Sequence, residues 1–314
     1  MKRFALVGAA GFVAPRHMKA IRDTDSELVA ALDRSDNVGV MDSYFPSAHF
    51  FVEFERFDRH LDKLRRGGSG VDYLTVCSPN YLHDSHVRFG LRSDADVVCE
   101  KPLVLNPWNI DAISEIELAT GRKVSCILQL RVHPAIVALR ESVQARIAKG
   151  EGPFDVDLTY ITSRGRWYHT SWKGDLQKSG GLATNIGIHF FDMLLWIFGP
   201  LKESRVHRAD PTTGAGVLHL ENARVRWFLS IDPRTLPENA TGRTYRSITV
   251  AGQEVEFSEG FTDLHTVSYR EILAGRGFPA EETRRSIEIA HAIRTAAIAP
   301  TDEEAHPFCK SGTS

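Results

Sequence analysis

The chain has 314 residues, of which 42% are apolar, 25% charged and 9% aromatic, so it is neither disordered nor fibrous and has room for one large or two medium domains. Its formal charge of −2 divides as 16 basic and 18 acidic side chains up to residue 124 and 22 of each beyond it. A nucleic-acid-binding protein would show a basic domain, and none is present. Cys77, Cys99, Cys126 and Cys309 lack the CxxC spacing of a zinc or redox motif, so a reduced cytoplasmic chain without a metal is expected.

The start, MKRFALVGAAGFVAPRH, has the outline of a signal peptide, but two glycines break the apolar run and Pro15-Arg16-His17 stands where a cleavage site would be. No run approaches the roughly 20 apolar residues of a membrane span, and no membrane association is expected. Continuous apolar runs at 4–7, 28–32, 73–77, 96–99 and 124–128 alternate with helical patterns near 14–23, 56–66, 81–92 and 107–120. Such runs are strands covered by helices on both faces, that is, a parallel α/β sheet over residues 1–124.

After residue 150 the pattern changes. Segments 155–162, 223–229 and 247–250 alternate apolar and polar side chains and read as half-solvated antiparallel strands of a second, α+β domain, residues 125–314. A strongly apolar helix over 183–198 stops at Gly199-Pro200. Helices near 263–274 and 281–297 follow, then a polar tail expected to fray.

Three motifs carry chemistry. Gly8-Ala9-Ala10-Gly11-Phe12-Val13-Ala14 follows the first strand and opens a helix, with glycines that let the backbone turn tightly and approach a pyrophosphate. By itself this variant, GxxGxxA, also reads as a tight βα turn. Asp33 ends the second strand 22 residues past Gly11, about where an acid hydrogen-bonds an adenosine ribose and repels a 2′-phosphate. NAD is therefore favoured over NADP, although the adjacent Arg34 could meet a phosphate.

The second motif, Cys99-Glu100-Lys101-Pro102, sits at the C-terminal end of a parallel strand, the edge where open α/β sheets bind ligands; otherwise Lys101 is a surface lysine before a turn. Ser78-Pro79-Asn80-Tyr81-Leu82-His83 ends the preceding strand in the same way. The third runs from Ser179 to Asp192. On one helix Asn185, His189 and Asp192, at i, i+4 and i+7, share a polar face, with a satisfied core histidine as the plainer reading.

These motifs, as GxxGxxA, SPNxLH, EKP and GGxxxNxGxHxxD in this order, resemble those of the glucose-fructose oxidoreductase, inositol dehydrogenase and MocA-like oxidoreductases over nearly the whole chain. The resemblance implies an N-terminal Rossmann domain and a C-terminal α+β domain built on a large open, mainly antiparallel sheet, assembled as a homotetramer through that sheet. It also implies NAD contacts at Gly8, Gly11, Phe12, Val13, Asp33, Ser78, Asn80, His83, Glu100, Lys101 and Gln129. Within the family, the APRHMKAI start, 42–46 and 261–266 look most like bacterial dehydrogenases that oxidise the 3-hydroxyl of a UDP-linked N-acetylated amino uronate for O-antigen sugars. Many members have Asp where this chain has Asn185. Asn cannot act as a base, so acid–base work falls to Lys101 and His189, with Asn185 as a substrate hydrogen-bonder.

Removing a proton from a sugar hydroxyl calls for one positioned base. His189 is expected to take the proton while the Lys101 ammonium stabilises the oxyanion; the reverse assignment is the rival. Residues 161–180 carry four cations against one acid, together with aromatics and hydroxyls, which suits a carboxylate and a pyrophosphate or, equally, a solvated loop. Arg166, Tyr168, Ser171 and Trp172 are the contacts expected there, with Arg131, Arg243 and Arg246 as further anion candidates. A free-sugar or inositol dehydrogenase and a non-enzymatic NAD sensor remain as alternatives.

Overall fold

The structure is a computed structural model that describes residues 1–310 except 239, 241, 256 and 258–262, with the side chain of Lys310 also outside the description. Phe261 and Thr262, two residues of the resemblance, therefore lie outside the described residues. The chain forms two compact units.

The first unit comprises Met1–Gln129 and Thr262–Arg284. Its strands are β1 (Arg3–Val7), β2 (Glu27–Leu32), β3 (His49–Phe51), β4 (Tyr73–Val76), β5 (Asp96–Cys99) and β6 (Val124–Cys126), with helices α1 (Ala14–Asp23), α2 (Phe54–Arg66), α3 (His83–Arg92) and α4 (Trp108–Thr120) between them. They pair in the order β6-β5-β4-β1-β2-β3, all parallel, which is the doubly wound dinucleotide-binding order with its reversal between β1 and β4. Phe4, Ala5 and Leu6 are fully buried, as a continuous apolar strand covered on both faces should be.

The expected division at residue 124 is corrected in two ways. The first unit runs on to Gln129, and the chain returns to it near residue 262. The returning segment packs Tyr269 and Ile272 into the core that holds Phe4 and Met18 and adds an antiparallel strand, Phe278–Pro279, beside β6. Its apolar side chains are too few to announce which sheet they cover.

The second unit, Leu130–Phe261 and Arg285–Ser314, contains α5 (Pro134–Ile147), β7 (Phe154–Thr162), α6 (Arg166–Thr170), α7 (Leu176–Ser179), α8 (Ile188–Phe198), β8 (Leu201–Ala209), β9 (Thr213–Leu220), β10 (Ala223–Ser230), β11 (Thr244–Val250), β12 (Gln253–Glu254) and α10 (Arg284–Thr295), with α9 (Leu264–Leu273) belonging to the first unit. Six strands pair in the order β12-β11-β7-β10-β9-β8. The sheet is mainly antiparallel, but β7 and β10, both read as antiparallel strands, run parallel to each other at its centre. Phe191 of α8 meets Trp227 edge-on at 5.5 Å on one face. On the other, the tail expected to fray is packed: His306, 2% exposed, bonds Thr159 and stacks on Phe228.

Among the described residues one stretch, Leu176–Phe198, which runs from α7 through α8, is long and apolar enough to cross a membrane by length and composition. Of its most apolar window 67% is buried inside the protein, so this apolarity belongs to the core of the second unit.

Candidate active site

In the first unit the glycine turn lies at the strand-order reversal. Gly8 has φ +97°, and a Cβ there would stand 2.5 Å from the backbone C of Cys77 and N of Ser78, so only glycine lets β1 pass so close to the end of β4. Helix α1 starts with Pro15 in its first turn, no side-chain cap and no acidic residue in that turn, which leaves its positive end open to an external acceptor. Asp33 follows β2 and is half-buried; its carboxylate accepts the Ala10 N–H at 3.0 Å and the Ser35 N–H at 2.9 Å. Each oxygen retains capacity for a further donor. Phe12 is 88% exposed and Val13 half-buried at the same turn. This donor set fits a dinucleotide.

The other expected cofactor residues divide. The Ser78 hydroxyl bonds His86 Nδ1 at 2.9 Å, Asn80 is buried in the short turn before α3, and Gln129 is half-buried after β6. His83 and Glu100, also expected at the cofactor, both turn their side chains inward. His83, 1% exposed, spans the carbonyls of Ser78 at 2.8 Å and Pro102 at 2.7 Å, tying together the loops that end β4 and β5.

Glu100, 7% exposed, receives His17 Nε2 at 3.0 Å and His265 Nε2 at 2.8 Å on one oxygen, while its other oxygen accepts the Lys101 backbone N–H at 3.2 Å. Behind them His17 Nδ1 meets the Tyr269 hydroxyl at 2.9 Å, and that hydroxyl meets Thr75 Oγ1 at 2.8 Å. Burial alone would raise the Glu100 pKa, but hydrogen bonds from His17 and His265 outweigh it and hold the carboxyl well below its usual range. Burial lowers the His17 pKa and keeps its ring neutral. The His17, Glu100 and His265 atoms lie within 4.8 Å of one another and are types that can hold a metal, yet both nitrogen–oxygen spacings are hydrogen-bond lengths. Sequence reasoning missed His17, His265 and Tyr269 as a group, because His17 and His265 stand 83 and 165 residues from Glu100. Lys101 itself is half-buried at the rim of this network, before a cis peptide to Pro102.

In the second unit the motif around His189 is not one regular helix. Gly180 and Gly181, at φ +76° and +72°, turn the chain out of α7, and Ala183–Gly187 then forms a π-helical turn leading into α8. Gly187 is required because a Cβ would lie 2.6 Å from the Phe191 ring and 2.8 Å from Leu229 of β10. Within the buried run 182–194 only Asn185 and His189 are partly exposed. Asp192, expected on the same polar face, is instead 3% exposed and forms a two-pronged ion pair with Arg131, at 2.8 and 2.9 Å. That corrects Arg131 as an anion candidate: its charge is neutralised inside the fold.

Asn185 Nδ2 donates to the Tyr168 hydroxyl at 2.7 Å. Tyr168 is 4% exposed, and Ser171 donates to its carbonyl at 2.8 Å, closing the short helix α6. Trp172 is half-buried under the Lys173 ammonium, 4.1 Å from its ring centre. Arg164, Arg166 and Arg243 are exposed and have no carboxylate partner among the described residues; the Ser163 N–H donates to the Arg243 carbonyl, so these cations border one stretch of chain. Arg246, in contrast, lies over the Tyr160 and Phe257 rings.

A doubly wound sheet of this order, a glycine turn at its reversal and a lysine ending β5 define the nucleotide-binding unit of an oxidoreductase. Two family models match: the oxidoreductase family's NAD-binding Rossmann fold over residues 2–128 and its C-terminal alpha/beta domain over 152–245. The chain belongs to this family, the Gfo/Idh/MocA oxidoreductases.

It is similar to the WlbA (WbpB) dehydrogenase of Thermus thermophilus. The solved complex of that enzyme with NAD and UDP-GlcNAcA is 53% identical, covers 98% of this chain and 100% of its own, and has a TM-score of 0.93. A second complex, with NAD and alpha-ketoglutarate, is 54% identical over the same shares with a TM-score of 0.94. The inositol 2-dehydrogenase of Rhizobium meliloti (strain 1021) is 26% identical over 63% of this chain and 55% of its own length. The chain spans about half the length of the curated relatives it matches.

Proposed function

We infer that the protein is an NAD-dependent dehydrogenase that oxidises the 3-hydroxyl of UDP-N-acetylglucosaminuronate to the 3-keto sugar nucleotide. The observation that carries this reading is 53% identity across the full length of a dehydrogenase solved with NAD and UDP-GlcNAcA. The exposed, carboxylate-free cations Arg164, Arg166 and Arg243 support an anionic substrate. Arg166, Tyr168, Ser171, Trp172 and Asn185 are the substrate contacts proposed.

Gly8, Gly11, Phe12, Val13, Asp33, Ser78, Asn80, Lys101 and Gln129 would hold NAD, which when bound supplies the hydride acceptor. His189 takes the proton of the reacting hydroxyl at an imidazole nitrogen. Lys101 donates through its Nζ to the same oxygen and stabilises the charge that develops there. Asn185 is neutral, and the hydrogen bond its Nδ2 donates to the Tyr168 hydroxyl fixes its amide. The product suits later amination in cell-surface sugar biosynthesis, O-antigen included. The proposed setting is the cytoplasm, and the proposed assembly is a homotetramer through the open sheet of the second unit.

The test is incubation with NAD and a panel of UDP-hexuronates, UDP-hexoses and free polyols, with and without alpha-ketoglutarate, following NADH absorbance and the 3-keto product. Turnover with UDP-GlcNAcA is expected. Turnover confined to a free polyol such as inositol would replace this reading with that of the inositol dehydrogenases.

A further inference from the structure

The interior of the first unit contains one ionised side chain whose purpose neither the cofactor turn nor the sugar site explains. Glu100 is buried one residue before Lys101, and a buried carboxylate is costly unless donors surround it. Three donors do: His17 on α1, His265 on α9 and the backbone N–H of Lys101. The hydrogen positions follow from the acceptors. Both Nε2 atoms face the same carboxylate oxygen and must carry protons, so a neutral His17 presents a bare Nδ1. That nitrogen accepts from the Tyr269 hydroxyl, which in turn accepts from Thr75. Each link from Thr75 through Tyr269 and His17 to Glu100 then joins one donor to one acceptor.

We propose that His17 and His265 are positioning residues for Lys101, holding the Glu100 carboxylate so that its second oxygen anchors the Lys101 backbone. The arrangement also explains why the chain returns to the first unit after residue 262. Only the returning helix α9 supplies His265 and Tyr269. Residues 1–129 alone would leave Glu100 with one imidazole and His17 with no hydroxyl donor. The imidazoles lie at 0% and 5% exposure, so they act through Glu100 and touch no ligand themselves.

The proposal rests on the role of Lys101 given above, and two measurements on the full chain separate its failure from the failure of that reading. The first needs no turnover. Nitrogen-15 NMR of histidine-labelled wild type should find His17 and His265 both protonated at Nε2, with Tyr269→Phe perturbing His17 Nδ1. A bare Nε2 on either ring overturns the network whatever the substrate proves to be.

The second compares Glu100→Gln, His265→Leu and His265→Gln with wild type for NAD affinity by fluorescence, melting temperature, and kcat and KM with NAD and UDP-GlcNAcA. The amide introduced by Glu100→Gln cannot accept from both sides, so one N–H would face another. Small misplacements of a reacting group cost on the order of 100-fold, so kcat should fall by about that factor in Glu100→Gln and His265→Leu, with NAD affinity nearly unchanged. His265→Gln restores an N–H donor and should recover most of kcat. A kcat in Glu100→Gln equal to that of an active wild type, or equal losses in His265→Gln and His265→Leu at equal melting temperature, would overturn the positioning role.

Discussion

The Asn185 amide and the Tyr168 hydroxyl meet at 2.7 Å, joining the π-helical turn that precedes His189 to the short helix of the basic segment. The contact holds in place the residue four before His189, and it uses a neutral donor and a neutral acceptor. A single hydrogen bond of this kind is worth about 0.5–1.5 kcal/mol. Tyr168→Phe should therefore raise the KM for UDP-GlcNAcA by roughly 3- to 10-fold and lower kcat less. An unchanged KM in steady-state kinetics would show that the pair does not orient the substrate site.

Lys101→Met and His189→Asn should each leave the fold intact and lower kcat by about 100-fold or more, the usual contribution of a positioned acid or base. His189→Asn with near-normal turnover would transfer the base role to Lys101. Because two interacting groups share macroscopic pKa values, the assignment requires these variants and not a pH profile alone.

Arg131→Ala would remove the two-pronged cationic partner of buried Asp192, three residues from His189, at a cost of about 3–5 kcal/mol. The double change Arg131→Met with Asp192→Leu removes both charges and should recover most of the melting temperature. If Arg131 served as a substrate anion contact instead, the double variant would fold but show a sharply raised substrate KM.

Gly8→Ala places a methyl group 2.5 Å from the Cys77 and Ser78 backbone at a φ that alanine resists. It should destabilise the first unit by at least about 2 kcal/mol and abolish NAD binding measured by fluorescence titration.

Acid should destabilise the protein earlier than its carboxylates alone would. Burial lowers the pKa of His86 and of His306 from 6.5 to about 4, and lowers those of His17 and His83 as well. A group whose folded pKa is depressed binds its proton more readily when unfolded, so its stabilisation is present above pH 6.5 and is lost between there and about 4. His86 and His306 each contribute up to about 3 kcal/mol. Chemical denaturation at pH 7.5 and pH 5 should show this loss, and His306→Phe, which stacks equally well on Phe228, should reduce it.

The parallel sheet was legible because its strands are continuous apolar runs, and α1 occupies the expected 14–23. Strand β3 was not: three residues at a sheet edge show no period. Strand β8, with charged residues at 202, 203, 205 and 208, hides a paired strand behind the polarity that guards sheet edges. At the site, the glycine turn, Lys101, Asn185 and His189 are local signals that survive in one dimension. The partners of Glu100 and Arg131 are not, because burial and pairing across 83, 165 and 61 residues leave no spacing to read. The π-helical turn also broke the i, i+4, i+7 pattern, separating Asp192 from the polar face that regular helical spacing assigns to it.

The most direct measurement uses UDP-N-acetylglucosaminuronate carrying deuterium at carbon 3, incubated with NAD and the full chain, with the recovered dinucleotide analysed by mass spectrometry. Oxidation at the 3-hydroxyl predicts NADH one mass unit heavier, with a 3-keto sugar nucleotide as the other product. Unlabelled NADH, or a product oxidised at another carbon with the deuterium retained, would contradict it.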